Sequence, residues 1–178
     1  MSSTVRILGL DPGSLIAGYG VVDFRPSDPL SGDLVDAGVL KMKAGRSLED
    51  RLVELEAGLQ EIIDEHRPRL FAVEELYSHY NHPKTAIVMG HARGVLLLVC
   101  RRNGLRFHEY AANRVKQSLT GYGHASKTAM QAAVQAVWNL PEPPSPPDVA
   151  DALAVALCCA RSGDASDAAG DVAATMPR

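Results

Sequence analysis

A short apolar run that ends in one carboxylate and a rigid turn most constrains what this chain can form. Residues 5–10 have the apolar character of a buried central strand, and Asp11 follows at its end. Pro12 has no amide hydrogen to donate and Gly13 tolerates the backbone angles of a tight turn, so the strand must stop there. An aspartate in this position can bind a metal ion or can simply cap the turn. The other isolated carboxylates decide between these alternatives.

Length and composition predict one globular domain in the cytoplasm. The chain has 178 residues, of which 46% are hydrophobic and 22% are charged, and these values are ordinary for a domain with one core. No apolar run approaches the ~20 residues that cross a bilayer, and no signal peptide is expected. Cys100, Cys158 and Cys159 form no Cys-x-x-Cys pair, so we expect reduced thiols packed in the core.

The charge of the chain is unevenly distributed. The net charge of −3 is unfavourable for binding nucleic acid, but residues 76–147 hold eight basic residues and only Glu109 and Glu142 as acids. The first 75 residues, in contrast, hold eight basic and 14 acidic residues. The middle segment has the sign expected of a surface that binds a polyanion, although the same charges could be scattered over solvated helices.

The order of the predicted elements indicates an α/β fold. The predicted strands are 5–10, 18–24, 34–40, 70–73 and 105–110, with a loop at 26–32. The predicted helices are one from the Ser47 cap to about His66, then 85–101, 113–119, 126–140 and 148–160, with a proline-rich connector at 141–147. The periodicity predicts an antiparallel meander followed by strand–helix–strand units, hence a five-stranded mixed sheet with helices on both faces. The predicted domain covers residues 1–161, and a disordered tail is expected over 162–178.

Two features of the helices bear on function. Helix 85–101 is apolar on nearly every side, which predicts burial in the domain, in a subunit interface, or in both. Asp148 and Asp151 lie three residues apart at the start of the last helix and share one face of it. The rest of that helix is apolar through Cys159, so it must be buried. Taken alone, Asp148 could simply cap the helix.

The isolated carboxylates are predicted to converge. Asp11 ends the first strand, Glu74 and Glu75 end the fourth, and ligands collect at the carboxyl ends of parallel strands. Strand alternation allows only one of the two glutamates to face the site and does not choose between them. Carboxylates brought together repel one another, and oxygen-only ligands favour Mg²⁺ or Mn²⁺. Two such ions roughly 4 Å apart hydrolyse phosphodiesters, so a metal-dependent nuclease is predicted.

Several ordered motifs between about residues 6 and 160 resemble RuvC-type Holliday-junction resolvases. The resemblance is specific because the whole set occurs in order without large gaps. The matching segments are Gly9-Leu10-Asp11-Pro12-Gly13-Ser14, Gly18-Tyr19-Gly20, Val73-Glu74, Gly90-His91-Ala92-Arg93-Gly94, Val115-Lys116-Gln117, Ser126-Lys127 and Asp148-x-x-Asp151-Ala152-Leu153-Ala154.

The resemblance implies an RNase H-like fold, a homodimer, and paired symmetric nicking of four-way DNA junctions in recombination and repair. It implies two Mg²⁺ ions per active site, with Mn²⁺ as a substitute, and nicks that leave 5′-phosphates. It also implies a partnership with a branch-migration motor of the RuvA and RuvB type. The implied catalytic, metal-binding acids are Asp11, Glu74, Asp148 and Asp151.

The resemblance also implies DNA contacts. Lys116 and Lys127 match the phosphate-contacting lysines of the family, and Tyr77 falls where the family usually has a phenylalanine against junction bases. A tyrosine ring can still stack there. His91 replaces the more usual glutamine. The expected DNA-contacting set also includes Asn81, Lys84 and Arg114.

Three other functions compete with the resolvase hypothesis. An RNase H-like nuclease could act on RNA or on an RNA–DNA hybrid. An actin- or sugar-kinase-like ATPase also places Asp-x-Gly after a first strand, but such folds need two related domains, and this chain has no second glycine-rich phosphate loop. A non-catalytic junction-binding subunit would have lost an acid, and all four are present.

Overall fold

The sheet follows the predicted topology. The structure is a computed structural model that describes residues 4–25, 28–76 and 83–165. Its strands are β1 (Val5–Asp11), β2 (Ile16–Arg25), β3 (Asp28–Lys41), β4 (Leu70–Glu74) and β5 (Arg106–Tyr110). The spatial order is β3-β2-β1-β4-β5, with antiparallel pairing from β1 to β3 and parallel pairing of β4 to β1 and of β5 to β4. The prediction of a five-stranded mixed sheet is therefore confirmed.

The predicted loop at 26–32 is wrong for most of its length. β3 begins at Asp28, and its backbone pairs with β2 as far as Arg25↔Asp28. Register shifts lie between Val21 and Val22 and between Phe24 and Arg25. Irregular pairing of this kind lets a segment rich in turn-forming residues continue along a neighbouring strand. Residues 26 and 27 lie outside the described part of the chain.

The helices cover both faces of the sheet. They are α1 (Leu48–His66), α2 (Pro83–Arg102), α3 (Ala112–Thr120), α4 (Lys127–Val137) and α5 (Pro147–Arg161). α1 and α2 pack over one face, while α5, flanked by α3 and α4, packs over the other. None of the helices in the described ranges is long and apolar enough to span a membrane.

Most helix boundaries agree with the sequence, but α4 is shorter than predicted. The Ser47 hydroxyl accepts a hydrogen bond from the Asp50 amide at 3.2 Å, as expected of an N-cap. α4 ends at Val137 instead of residue 140. Asn139 takes a left-handed conformation, with φ 48°. The indole N–H of Trp138 donates to the Gly32 carbonyl at 2.6 Å, so the chain leaves the helix to contact the sheet.

α5 forms the centre of one core because glycines let it approach the sheet. A Cβ atom on Gly9 would overlap the carbonyl oxygen of Ala152, and one on Gly20 would overlap the Leu153 side chain. Every residue of α5 from Val149 to Ala160 except Asp151 is buried. The helix backbone therefore rests almost directly on β1 and β2, and this fixes where its first turn points.

The cysteines and the end of α5 lie within the packed domain. All three cysteines are buried and free, as predicted. Contacts continue beyond Arg161, since the Tyr110 hydroxyl donates to Asp164 at 2.7 Å and Ala165 is buried. The division of the chain at residue 161 remains a prediction. Residues 166–178, where disorder is expected, lie outside the described ranges.

Candidate metal and nucleic-acid site

The end of β1 and the first turn of α5 meet at Gly18. This glycine is the register partner of Asp11 on the adjacent strand. A Cβ atom on Gly18 would overlap the backbone carbonyl of Asp148, which leaves glycine as the residue that fits between them. The absence of a side chain thus lets Asp148 approach the strand end that carries Asp11. Sequence reasoning found Gly18 only within a family motif, because the contact joins segments 130 positions apart.

Asp148 is not the cap of its helix. Pro146 occupies the N-cap position without a side-chain capping bond, and Pro147 occupies the first helical position, which suits a residue that has no amide hydrogen. Asp148 and Asp151 therefore lie inside the helix, one turn apart. The structure disfavours the capping alternative and leaves both carboxylates free to serve the site.

The charges of the other three acids all act on Asp11. Burial first, and then the charges of Asp151, Glu74 and Asp148, raise the pKa of Asp11 to about 7. The pKa of Glu74 is also raised, first by burial and then by Asp151. Burial likewise raises the pKa of Asp151, and Asp148 adds to the effect. The predicted convergence of the four acids is thus seen in the fold.

Glu74 is the member of the Glu74-Glu75 pair that belongs to the cluster. It is half-buried, and its charge acts on Asp11. Glu75 is exposed, and its amide donates to the Tyr110 carbonyl at 2.9 Å. The resemblance favoured Glu74, and the burial of its side chain and the effect of its charge on Asp11 agree with that choice. A cavity of about 180 Å³ opens beside the acids, and its lining includes Asp11, Glu74, Glu75, Met89 and Leu96.

Two lysines, on α3 and α4, partly offset the negative charge of the four acids. Lys127, the first residue of α4, lowers the pKa values of Asp11, Glu74 and Asp151. Lys116, on α3, acts on Glu74 and Asp151 in the same direction. Both lysines therefore border the acid cluster, where a phosphate would meet them. The phosphate contacts that the resemblance implies for these two lysines remain a prediction.

The acids are of the chemical type that binds divalent cations, but their side chains do not form a complete coordination site. In the described ranges, no three His, Cys, Asp or Glu side chains are positioned to hold a metal ion as they are. The cluster contains only carboxylates, whose oxygens are the ligands that Mg²⁺ and Mn²⁺ prefer. Raised pKa values indicate that the negative charges at this site are poorly compensated by the protein. Bound cations would supply that compensation.

The connector before α5 is held by two glutamines that sequence reasoning missed. The Gln131 amide donates to the Pro144 carbonyl at 3.1 Å. The Gln135 amide donates to the carbonyls of Leu140 at 3.1 Å and of Pro141 at 3.4 Å. Both glutamines lie on α4, the helix that begins with Lys127. One helix therefore carries Lys127 beside the acids and holds the segment that precedes Asp148. No pattern in the sequence pairs these glutamines with the connector.

The remaining predicted DNA contacts are less closely tied to the acids. Lys84 is exposed in the first turn of α2. The Arg114 guanidinium lies 5.1 Å from the ring centroid of Tyr110 and helps to lower the pKa of Asp164. Tyr77 and Asn81 lie outside the described residues. A DNA-binding role for these four residues remains a prediction.

Comparison with known proteins identifies the family. The family model for the crossover junction endodeoxyribonuclease RuvC matches residues 7–159. The chain belongs to the RuvC family. It is 45% identical to the crossover junction endodeoxyribonuclease RuvC of Rhodopirellula baltica over 152 residues, which are 85% of this chain and 84% of that protein.

Solved structures agree with the assignment to the RuvC family. Thermus thermophilus RuvC in complex with Holliday junction substrate superposes with a TM-score of 0.81 at 32% identity, covering 90% of this chain and 98% of that one. The yeast mitochondrial Holliday junction resolvase Ydc2 superposes with a TM-score of 0.67 at 12% identity, covering 99% of this chain and 86% of that one. This second similarity extends the agreement in fold to a distant RNase H-like resolvase.

Proposed function

We propose that this chain is a metal-dependent endonuclease that resolves Holliday junctions in recombination and DNA repair in the cytoplasm. The observation that carries the proposal is the electrostatic coupling of Asp11 to Glu74, Asp148 and Asp151 beside two lysines. Family membership supplies the substrate class, since a related RuvC was solved in complex with Holliday junction substrate. An activity on RNA or on an RNA–DNA hybrid is not favoured by these relatives.

The four acids would hold two Mg²⁺ ions, or Mn²⁺ in their place. Such ions supply an activated water that attacks the phosphorus and stabilise the leaving 3′ oxygen, so that cleavage leaves a 5′-phosphate. The aspartates on α5 contribute from a helix whose position is fixed by Gly9 and Gly18. Glu74 and Asp11 contribute from adjacent parallel strands. Rigid elements on both sides keep the carboxylates near one another despite their repulsion.

The chain itself positions the DNA. Lys116 and Lys127 would neutralise phosphates near the cleaved bond, because both ammonium groups act on the same acids. They would add counterion release to the binding energy. Lys84 and Arg114, with Tyr77 and Asn81, would extend this contact along the junction arms.

We also propose that two copies act together through α2. Ile87, Leu97 and Leu98 on this helix are 60%, 41% and 48% exposed. A Cβ atom on Gly90 or Gly94 would meet nothing within 4 Å, so this face is open to a second helix. A two-fold dimer would present equal sites to two strands of like polarity, as paired nicking requires. A branch-migration motor of the RuvA and RuvB type would deliver the junction.

Cleavage of a synthetic junction tests the proposed function. An end-labelled four-way junction, a linear duplex of the same sequence and an RNA–DNA hybrid are incubated with the protein and Mg²⁺. Symmetric nicks are expected in the junction alone, and DNA ligase should reseal them directly because they carry 5′-phosphates. Asp11→Asn should bind the junction but cut it at least about a thousandfold more slowly.

Glu61→Gln is the matched control, since it removes an exposed carboxylate of α1 that does not line the cavity beside the acids. It should cut the junction like the parent. If the parent cut the linear duplex as well as the junction, the chain would still be a nuclease, but the proposal that it is a junction resolvase would be refuted. Undiminished cutting by Asp11→Asn would refute the assignment of the metal site.

A further inference from the structure

Tyr122 is an exposed aromatic residue in the turn between α3 and α4. Its side chain is 63% exposed, the highest fraction among the large hydrophobic residues in the described part of the chain. It contacts the ring of His124 edge-on, with the centroids 5.7 Å apart and the planes at 66°. His124 is also exposed. One face of the tyrosine ring is therefore available to a flat partner.

The turn that carries Tyr122 is fixed by its own hydrogen bonds. Gly121 ends α3 in a left-handed conformation, with φ 76°. The Thr120 hydroxyl donates to the Lys116 carbonyl at 2.8 Å and accepts from the Tyr122 amide at 3.2 Å. The Tyr122 carbonyl accepts from the Ala125 amide at 3.2 Å. A ring mounted on a rigid turn loses little conformational freedom when it binds.

The position of the turn points to DNA as the partner. The helix before it carries Lys116 and the helix after it begins with Lys127, and both lysines border the acids. Lys127 is five positions after Tyr122, so their Cα atoms lie at most about 17 Å apart. Nucleotides advance about 3.4 Å along a strand, and Tyr122 is therefore within a few nucleotides of a phosphate held by Lys127.

We propose that Tyr122 stacks on a nucleobase that has lost a stacking neighbour near the cleaved phosphate, with His124 supporting the ring from its edge. The inference rests on the proposed resolvase function and assigns a base-binding position to that site. Aromatic rings combined with backbone-neutralising cations are the usual means of binding unstacked bases. The branch point of a junction and the strand beside it supply such bases. The binding needs no particular base, because every base has a π-face.

Site-specific fluorescence tests the proposal directly. Junctions carrying 2-aminopurine at successive positions around the cleaved bond are bound by Asp11→Asn protein, which keeps the DNA intact. Stacking should quench the probe at one or two neighbouring positions. The quenching should persist in Asp11→Asn/Tyr122→Phe and disappear in Asp11→Asn/Tyr122→Ala, with about a tenfold loss of junction affinity. Thermal melting should be unchanged, because the turn is held by Thr120 and backbone groups.

Two comparisons separate stacking from a charge effect and from a hydroxyl contact. Removing the ring should leave the slope of log affinity against log salt unchanged, whereas Lys116→Ala should make it shallower. Val53→Ala is the matched control, since Val53 is 62% exposed on α1, and it should alter neither affinity nor quenching. Equal defects in Tyr122→Phe and Tyr122→Ala would overturn stacking in favour of a hydroxyl contact to phosphate.

Normal quenching and affinity in Tyr122→Ala would refute the proposal and leave the resolvase function intact. An Asp11→Asn parent that binds no junction would refute both.

Discussion

Helices α2 and α5 are both apolar on most of their surface, yet the fold buries only one of them. α5 is covered by its own sheet and by α3 and α4, and Asp151 is its one residue between Val149 and Ala160 that is not buried. α2 buries Ala92, Leu96, Val99 and Cys100 and leaves a second apolar stripe exposed. The difference shows that an apolar sequence favours burial of a helix, whereas small residues on the opposing surface determine which helix can pack closely enough to be buried.

Glycine has opposite roles in the two regions. A Cβ atom on Gly9 or Gly18 would overlap the backbone of α5, and one on Gly20 would overlap the Leu153 side chain. Gly90 and Gly94 lie on α2 itself with open space around them. The space beside the glycines of β1 and β2 is filled by α5. The space beside Gly90 and Gly94 is available to another copy of the chain. Substitutions in each region test this difference.

Gly18→Ala should have the largest effect. The new methyl group would overlap the backbone of Asp148, and a backbone atom cannot move aside as a side chain can. We expect the free energy of unfolding to fall by about 1–3 kcal/mol. Junction cleavage should fall at least about a hundredfold because Asp148 leaves the cluster, a loss of about 2.7 kcal/mol.

Cleavage rates and urea denaturation of Gly18→Ala measure the two effects separately. Cleavage at the parental rate would show that α5 can shift without moving its carboxylates. Val53→Ala, at a position of α1 that is 62% exposed, serves as the control.

Leu98→Glu should separate the two copies of the proposed dimer without unfolding them. A carboxylate on the exposed stripe costs little in an isolated domain, because Leu98 is already 48% exposed. In a two-fold dimer the substitution places two charges in an apolar interface, and dissociation should increase by about a hundredfold or more. Sedimentation equilibrium measures the dissociation, and plasmid-borne junctions report whether the two nicks remain paired.

Val53→Glu provides the matched control for Leu98→Glu, since Val53 is 62% exposed on α1. It should leave association unchanged. A Leu98→Glu protein that associates like the parent would remove α2 from the interface.

The pKa of Asp11 predicts how the acid cluster affects stability. Because the folded protein raises it from 3.8 to about 7, the folded state binds a proton more tightly than the unfolded state does. Stability of the metal-free protein should therefore fall as the pH rises from about 4 to about 7. Asp11→Asn should remove most of this fall, making the variant more stable than the parent by about 1–2 kcal/mol at pH 8 and equal at pH 4.

Urea denaturation in EDTA at several pH values measures the effect of Asp11. Mg²⁺ should restore stability to the parent at pH 8, because it binds the folded state, and should do less for Asp11→Asn. Glu75→Gln is the control, as its carboxylate is exposed. A parent whose stability is flat between pH 4 and pH 8 would contradict the raised pKa.

The elements that carry the acids could be predicted from the sequence because each has a local signal. Asp11 follows an apolar run and precedes Pro-Gly, and Asp148 and Asp151 share a helical face. The contacts that bring them together could not be predicted in this way. Gly18 meets Asp148 and Gln131 meets Pro144 across the fold, and neither pair shares a pattern along the chain. The choice of Glu74 over Glu75 likewise needed the resemblance to a family. Side chains alternate between the two faces of a strand, and this alternation does not say which of two neighbouring residues faces the site.

Gly90→Ala should have the smallest effect on stability, and whether it stabilises or destabilises the protein is informative. The added methyl group meets nothing within 4 Å in a single chain, and alanine is the better helix former by about 0.5–1 kcal/mol. An isolated domain should therefore gain that stability. A partner helix packed against Gly90 would oppose the gain, because the methyl group would keep the two backbones apart.

Melting Gly90→Ala over a range of protein concentrations, in the parent and in the Leu98→Glu background, separates these contributions. Stabilisation in the Leu98→Glu background together with weaker association in the parent background would mean that the second copy approaches at the glycine. Stabilisation in both, with unchanged association, would place the contact along Leu97 and Leu98 instead. A glycine-to-alanine substitution should therefore disrupt the packing of α5 at Gly18 but leave the domain folded at Gly90. The difference arises because the space beside Gly90 lies outside the chain.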